Sequence, residues 1–141
     1  MSKFSQASLD KLNTCHPQII RLMQIVVLTF DITVVCGWRG EEEQTKALKE
    51  GKTHLGWPHS KHNKTLPDGT PCSEAVDVAP YSPIEPHIDW DDREKFTLMG
   101  GYILGVAEIV GIPVIWGGDW NKDFNMRGQR LVDLPHFELV I

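Results

Sequence analysis

The chain has 141 residues, 41% of them apolar and 23% charged, with a net charge of −5. That is enough chain for one domain with a real core and an ordinary globular composition, and the acidic balance argues against a nucleic-acid partner gripped through its phosphates. Three irregularly spaced cysteines, Cys15, Cys36 and Cys72, make neither a disulfide framework nor a C-x-x-C pair, which fits reduced thiols in a cytoplasmic protein.

The opening MSKFSQASLDKL lacks the basic-then-apolar plan of a signal peptide, and the run IVVLTF at 25–30 is too short to span a membrane. No membrane insertion is expected. Residues 17–29 begin with a proline suited to a first helical turn, and Ile20, Met23, Val27 and Leu28 follow at helical spacing. DITVVCGW (31–38) is a β-branched run, read as a central strand in which Cys36 is a small buried residue. GEEEQTKALKEG (40–51) has acids first, lysines later and a glycine after, the charge order a helix prefers.

Residues 51–74 turn irregular, rich in Gly, Pro, His and Asn, with PDG marking a tight turn. A loop that long in a small domain suggests function. EAVDVAPY (74–81) reads as a strand, and 89–111 as a long helix whose glycines Gly100, Gly101 and Gly105 either weaken it or allow close packing. IPVIW is a strand, 116–135 another loop, and HFELVI the last strand. It places Phe137, Leu139 and Ile141 on a core face and His136, Glu138 and Val140 on the other. Helices and strands mix without strict βαβ alternation, so the expected class is α+β, with a small, mainly antiparallel sheet packed with helices. No repeat or linker divides residues 1–141, so a single domain without a separate wall-binding module is expected.

Three polar residues interrupt strands or their edges: His62 in SKH, Asp77 in EAVDVAP and His136 in LPHFEL. A carboxylate between valines in a strand needs a cation or a set of donors. Two imidazoles and one carboxylate make a three-ligand zinc site with the fourth position left for water. Asp133, three residues before His136, is placed to move that water's proton. Each residue alone has a plainer reading, as a surface histidine or a hydrogen-bonded edge aspartate, and no H-E-x-x-H signature is present. Trp57, Trp90, Trp116 and Trp120 suit a groove or core packing, with Trp120 placed near the cleft. His16 and His87 read as solvated. Asp119, Asn121, Asp123 and Asn125 alternate as in the first half of a calcium loop, but Phe124 replaces the glycine and Arg130 the glutamate, so the match to Ca2+ is partial.

GWRGEEEQ, SKH, SEAVDVAPY, WGGDW and DLPHFEL, in this order, resemble the zinc D-alanyl-D-alanine carboxypeptidase clan, and most of all its phage branch, the L-alanyl-D-glutamate endopeptidases that serve as endolysins. The resemblance runs through nearly the whole chain. It implies a fold like that of hedgehog and D-Ala-D-Ala-peptidase domains, one Zn2+ on His62, Asp77 and His136, and Asp133 as catalytic carboxylate. It further implies Arg39 polarising the scissile carbonyl, Ser60 in the substrate pocket with Trp120, and Glu138 supporting a ligand histidine. The implied substrate is bacterial peptidoglycan, met by a monomer that leaves the infected cell's cytoplasm once the membrane is permeabilised. One departure stands out: the family often separates its first histidine and the aspartate by seven positions, and here the separation is fifteen, with NKTLPDGTPC (63–72) between. His59 is therefore an alternative first ligand and His54 a more distant one. Two other readings stay open. One is a carboxypeptidase or dipeptidase of the same clan; the other is a silent zinc module, against which Asp133 and Arg39 weigh.

Overall fold

A computed structural model describes residues 1–129 and 131–141. Its four strands, β1 (Ile32–Cys36), β2 (Ala75–Pro80), β3 (Val114–Trp116) and β4 (His136–Leu139), form one antiparallel sheet in the order β1-β2-β4-β3. Four α-helices accompany it: α1 (Gln6–Leu12), α2 (Pro17–Val26), α3 (Glu41–Lys49) and α4 (Arg93–Val110). This is the α+β arrangement the sequence suggests.

Period-two alternation decides which way the sheet faces. Val76, Val78, Phe137 and Leu139 are all buried on the helix-covered side, with Leu22, Met23, Phe96, Met99 and Ile103 from α2 and α4. α4 is capped at its start by Asp92, whose carboxylate accepts from the Lys95 amide, and at its end by Gly111 in the left-handed conformation at φ 73°. Of its glycines, Gly100 is the one with a packing reason: a Cβ there would run into the Trp116 ring. That close approach seats the helix on the β3 end of the sheet.

Three details differ from the sequence expectation. α1 precedes the first expected helix. It has seven residues, too few to hold a helix alone, and it is fixed instead by the Ser8 hydroxyl, which accepts from the Val34 amide of β1 at 3.0 Å. α2 stops at Val26, earlier than 29, and Leu28 is exposed. Ile141, expected in the core, lies beyond β4 and is exposed. Among the described residues no helix is long and apolar enough to cross a membrane.

Candidate active site

On the sheet face opposite the core, neighbouring strands place three side chains in one row. Cys36 of β1 pairs with Asp77 of β2, and Asp77 pairs with His136 of β4. A register shift between Val34 and Cys36 makes the row possible. Without that bulge Cys36 would share the core face with Val34, which is how the sequence reads. Instead its sulfur lies 3.9 Å from His62 Nδ1 and 3.9 Å from Arg39 Nη2. Cys36 is thus a residue of the site and not simply of the core.

His62 arrives from the long loop on a single 3-10 turn, Lys61–Asn63. The Ser60 hydroxyl caps that turn by accepting from the His62 amide, and the Asn63 side chain accepts from the Ser60 amide, a reciprocal capping box. Residues 64–72, most of the insert, fold back as a tight turn, with Leu66 N donating to Thr70 O at 2.8 Å and Cys72 N to Lys64 O at 3.0 Å. The extra length is thereby absorbed without moving His62 away from Asp77.

Both imidazoles converge on one carboxylate oxygen. His62 Nε2 lies 3.4 Å and His136 Nδ1 3.0 Å from Asp77 Oδ1. Each ring is fixed through its other nitrogen. His62 Nδ1 donates to the Gly37 carbonyl at 2.7 Å, and His136 Nε2 meets Glu138 Oε1 at 2.9 Å. A carbonyl or carboxylate on the remote nitrogen is what orients a metal-binding histidine. Lys61 completes the support, its ammonium 3.7 Å from Glu138 Oε2 and hydrogen-bonded to the Leu139 carbonyl.

The charges match this geometry. Burial opposes protonation of both rings, but hydrogen bonds to Asp77, with Cys36 helping His62 and Glu138 helping His136, raise His62 to about 10 and His136 to about 9. Burial alone would raise Asp77, yet the two histidines hold it well below the usual carboxylate range. Asp133 is pushed upward by burial and by the nearby charge of Asp77, against the pull of His136, His62 and Arg39.

Arg39 extends over the row, with Nη2 3.8 Å from Asp77 Oδ2. Trp120 stands on the far side, its ring centre 5.4 Å from that of His136 and its indole N–H donating to Leu131 O at 2.7 Å. Asp133 is held at the site by its backbone: its amide donates to Gly117 O at 2.9 Å, and its carbonyl accepts from the His136 amide at 3.1 Å. A Cβ on Gly117 would collide with that carbonyl, and one on Gly118 with the Trp116 ring, so close packing accounts for both glycines of WGGDW. Gly117→Ala is expected to cost about 1–3 kcal/mol of stability and to lower activity beyond that loss by shifting Asp133. Thermal unfolding compared with turnover well below the melting temperature checks it.

Other expected residues are placed as follows. Ser60 is buried with its hydroxyl turned to the 3-10 cap. His59 and His54 are exposed, whereas His62 is 3% exposed. His59→Ala is therefore expected to bind metal as the parent does and His62→Ala to lose it; metal content after gel filtration distinguishes them, and the reverse result would give His59 the ligand role. Trp116 is core, Trp90 stacks on Phe96, and Trp57 packs edge-on against Trp38. His16 caps α2, and His87 stacks on Tyr81. In the calcium-like loop, Asp119 accepts from the amides of Asp123 and Phe124, and Asp123 from Asn125 N and Asn121 Nδ2. These carboxylates serve the loop's own turns; Arg130 lies outside the described residues.

A second grouping of donors overlaps the first: Cys36, His62 and Asp77 each bring one ligand atom within 4.8 Å of the others. Its sulfur, however, approaches His62 at Nδ1, the nitrogen already bonded to Gly37 O. His62 Nε2, on the other side of the ring, faces Asp77 Oδ1 at 3.4 Å.

The four-stranded antiparallel sheet thus presents Asp77 and His136 side by side on its open face, with His62 brought against Asp77 from the 3-10 turn. The chain belongs to the phage L-alanyl-D-glutamate peptidase family, whose model matches residues 1–140. It is 28% identical over 143 residues to the L-alanyl-D-glutamate peptidase of Escherichia phage T5, covering 98% of each chain. Its fold is similar to that of the Serratia marcescens L-Ala D-Glu endopeptidase ChiX, with a TM-score of 0.73 at 22% identity over 99% of this chain and 91% of that one.

Proposed function

We propose that residues 1–141 act as a single zinc endopeptidase domain that cleaves the L-alanyl-D-glutamate bond of peptidoglycan stem peptides, for lysis of a host cell from within. The convergence of His62 Nε2 and His136 Nδ1 on Asp77 Oδ1 supports it most directly, because each ring's other nitrogen is already committed. Two imidazoles and one carboxylate are a donor set suited to catalytic zinc. Zinc held there would act as a Lewis acid on the scissile carbonyl and lower the pKa of the attacking water.

The remaining chemistry belongs to the chain. Asp133 takes a proton from the water as its oxygen adds to the carbonyl carbon. It returns that proton to the amine nitrogen as the C–N bond breaks. Burial and the charge of Asp77 raise its carboxyl, which makes it a better proton acceptor than an exposed aspartate. Arg39 presents a fixed positive charge where the carbonyl oxygen becomes negative. Glu138, with Lys61 behind it, keeps the His136 ring turned so that Nδ1 faces Asp77. Trp120 offers an apolar wall to the bound peptide.

Metal uptake has a predictable pH dependence. His62 and His136 are raised in the metal-free chain, to about 10 and about 9, so at neutral pH each carries a proton it must lose to become a ligand. Zinc affinity therefore rises with pH from neutrality to about 10, the value of His62, and it falls as the medium is acidified. Titrating metal-free protein with zinc in buffers of different ionisation enthalpy should show proton release and recovery of stem-peptide hydrolysis at one equivalent. Full hydrolysis in metal-free protein would defeat the proposal.

A further inference from the structure

The guanidinium of Arg39 has a dedicated holder. Gln44, five residues later in the first half of α3, is fully buried although its helix neighbours Glu41, Glu42 and Glu43 are exposed. Its Oε1 accepts from Arg39 Nη1 at 3.0 Å and from Asn63 Nδ2 at 3.1 Å, while its Nε2 donates to Leu55 O at 2.6 Å. The amide orientation follows from its partners, since a guanidinium only donates and a carbonyl only accepts. Asn63 closes the circle by donating also to Arg39 O, and the Arg39 amide donates to His62 O. One buried amide thus links Arg39, the turn that carries His62 and the loop through Leu55.

We infer that Gln44 is the positioning residue that aims Arg39 at the reacting carbonyl, an inference that rests on the proposed peptidase function. A buried side chain with all its polar atoms paired is a stiff support. A neutral acceptor is the right kind, because it fixes the guanidinium without cancelling its charge. Glutamate at the same place would also hold Arg39, but as an ion pair that weakens the charge offered to the oxyanion. Tethered on Nη1 by Gln44, the guanidinium keeps Nη2, which faces Asp77 and Cys36, over the metal pocket.

Gln44→Met, close in volume but without the acceptor, tests this in two backgrounds. In the otherwise native enzyme kcat on a stem peptide should fall about tenfold or more, with zinc content unchanged. In Arg39→Ala, already deprived of the guanidinium, the same change should alter kcat less than about twofold. Equal losses in both backgrounds, or no loss in the first, would reduce Gln44 to a structural support. Nitrogen NMR of the Arg39 guanidinium, assigned by its disappearance in Arg39→Lys, reports the contact without turnover. Hindered rotation should be seen in the parent and free rotation in Gln44→Met; hindered rotation in both would overturn the inference. Were the parent inactive on every stem peptide, the peptidase proposal would fall and the NMR result would still decide whether Gln44 holds Arg39. Should Gln44→Met fail to fold, Gln44→Glu replaces it: kcat is expected to fall with the guanidinium still restricted, and parental kcat would overturn the inference.

Discussion

His136→Ala is expected to lose both the bound zinc and the peptidase activity. The side chain contributes Nδ1 beside Asp77 Oδ1 and bonds Glu138 Oε1 through Nε2 at 2.9 Å. Its removal takes one partner from Asp77, still beside His62 and Arg39, and one from Glu138, still beside Lys61, and leaves His62 and Asp77 as a two-ligand remnant. Loss of an outer partner of a metal ligand already costs about 10- to 100-fold in affinity, and loss of the ligand itself should exceed that. The fold should persist, because Phe137 and Leu139 hold β4 in the core independently of the open face. Metal content after gel filtration, with circular dichroism as control, measures it. Cys36→Ser is the informative companion. If the ion instead sits on Cys36, His62 and Asp77, Cys36→Ser would lose it and His136→Ala would retain one tight zinc.

Asp133→Ala should behave oppositely, keeping zinc but losing about 10²–10⁴ of kcat, the usual worth of a placed proton carrier. Asp133 makes no side-chain contact with Asp77, His62 or His136 close enough to be a hydrogen bond among the described residues, yet it feels the charge of all three. It thus lies near the cluster without being one of its hydrogen-bonded members. Its carbonyl and amide, which tie Gly117 and His136, survive the substitution. Steady-state kinetics on a stem peptide together with zinc stoichiometry check it. Turnover at the parental rate would remove Asp133 from the mechanism.

The sequence carried the sheet well because its strands alternate cleanly. VDV sets Asp77 between core valines, HFEL alternates His136 and Glu138 with core Phe137 and Leu139, and Asp77 and His136 are partners across β2 and β4. The order of the S-K-H, A-V-D and H-F-E motifs pointed to the same cluster. Cys36 was misplaced for a definite reason. Alternation in ITVVC assigns it to the core, and only a bulge, which local sequence does not announce, turns it to the site. α1 was missed because its stability comes from β1 rather than from its own seven residues. Gln44 lies within GWRGEEEQ, where nothing local sets it apart from the other polar residues of an acidic helix. Its burial follows from the way α3 leaves Arg39 and meets Asn63, a tertiary fact. The fifteen-residue separation of His62 and Asp77 raised a question that the turn at 64–72 answers: inserted residues can fold outward while the flanking ends keep their places.

The most direct measurement is mass spectrometry of purified peptidoglycan digested with the zinc-loaded protein, reading the new termini. A new amino terminus on D-glutamate, with L-alanine left on the sugar side, is the predicted result. Released D-alanine without such a terminus would make the protein a carboxypeptidase of the same clan, and no new terminus at all would contradict the peptidase account.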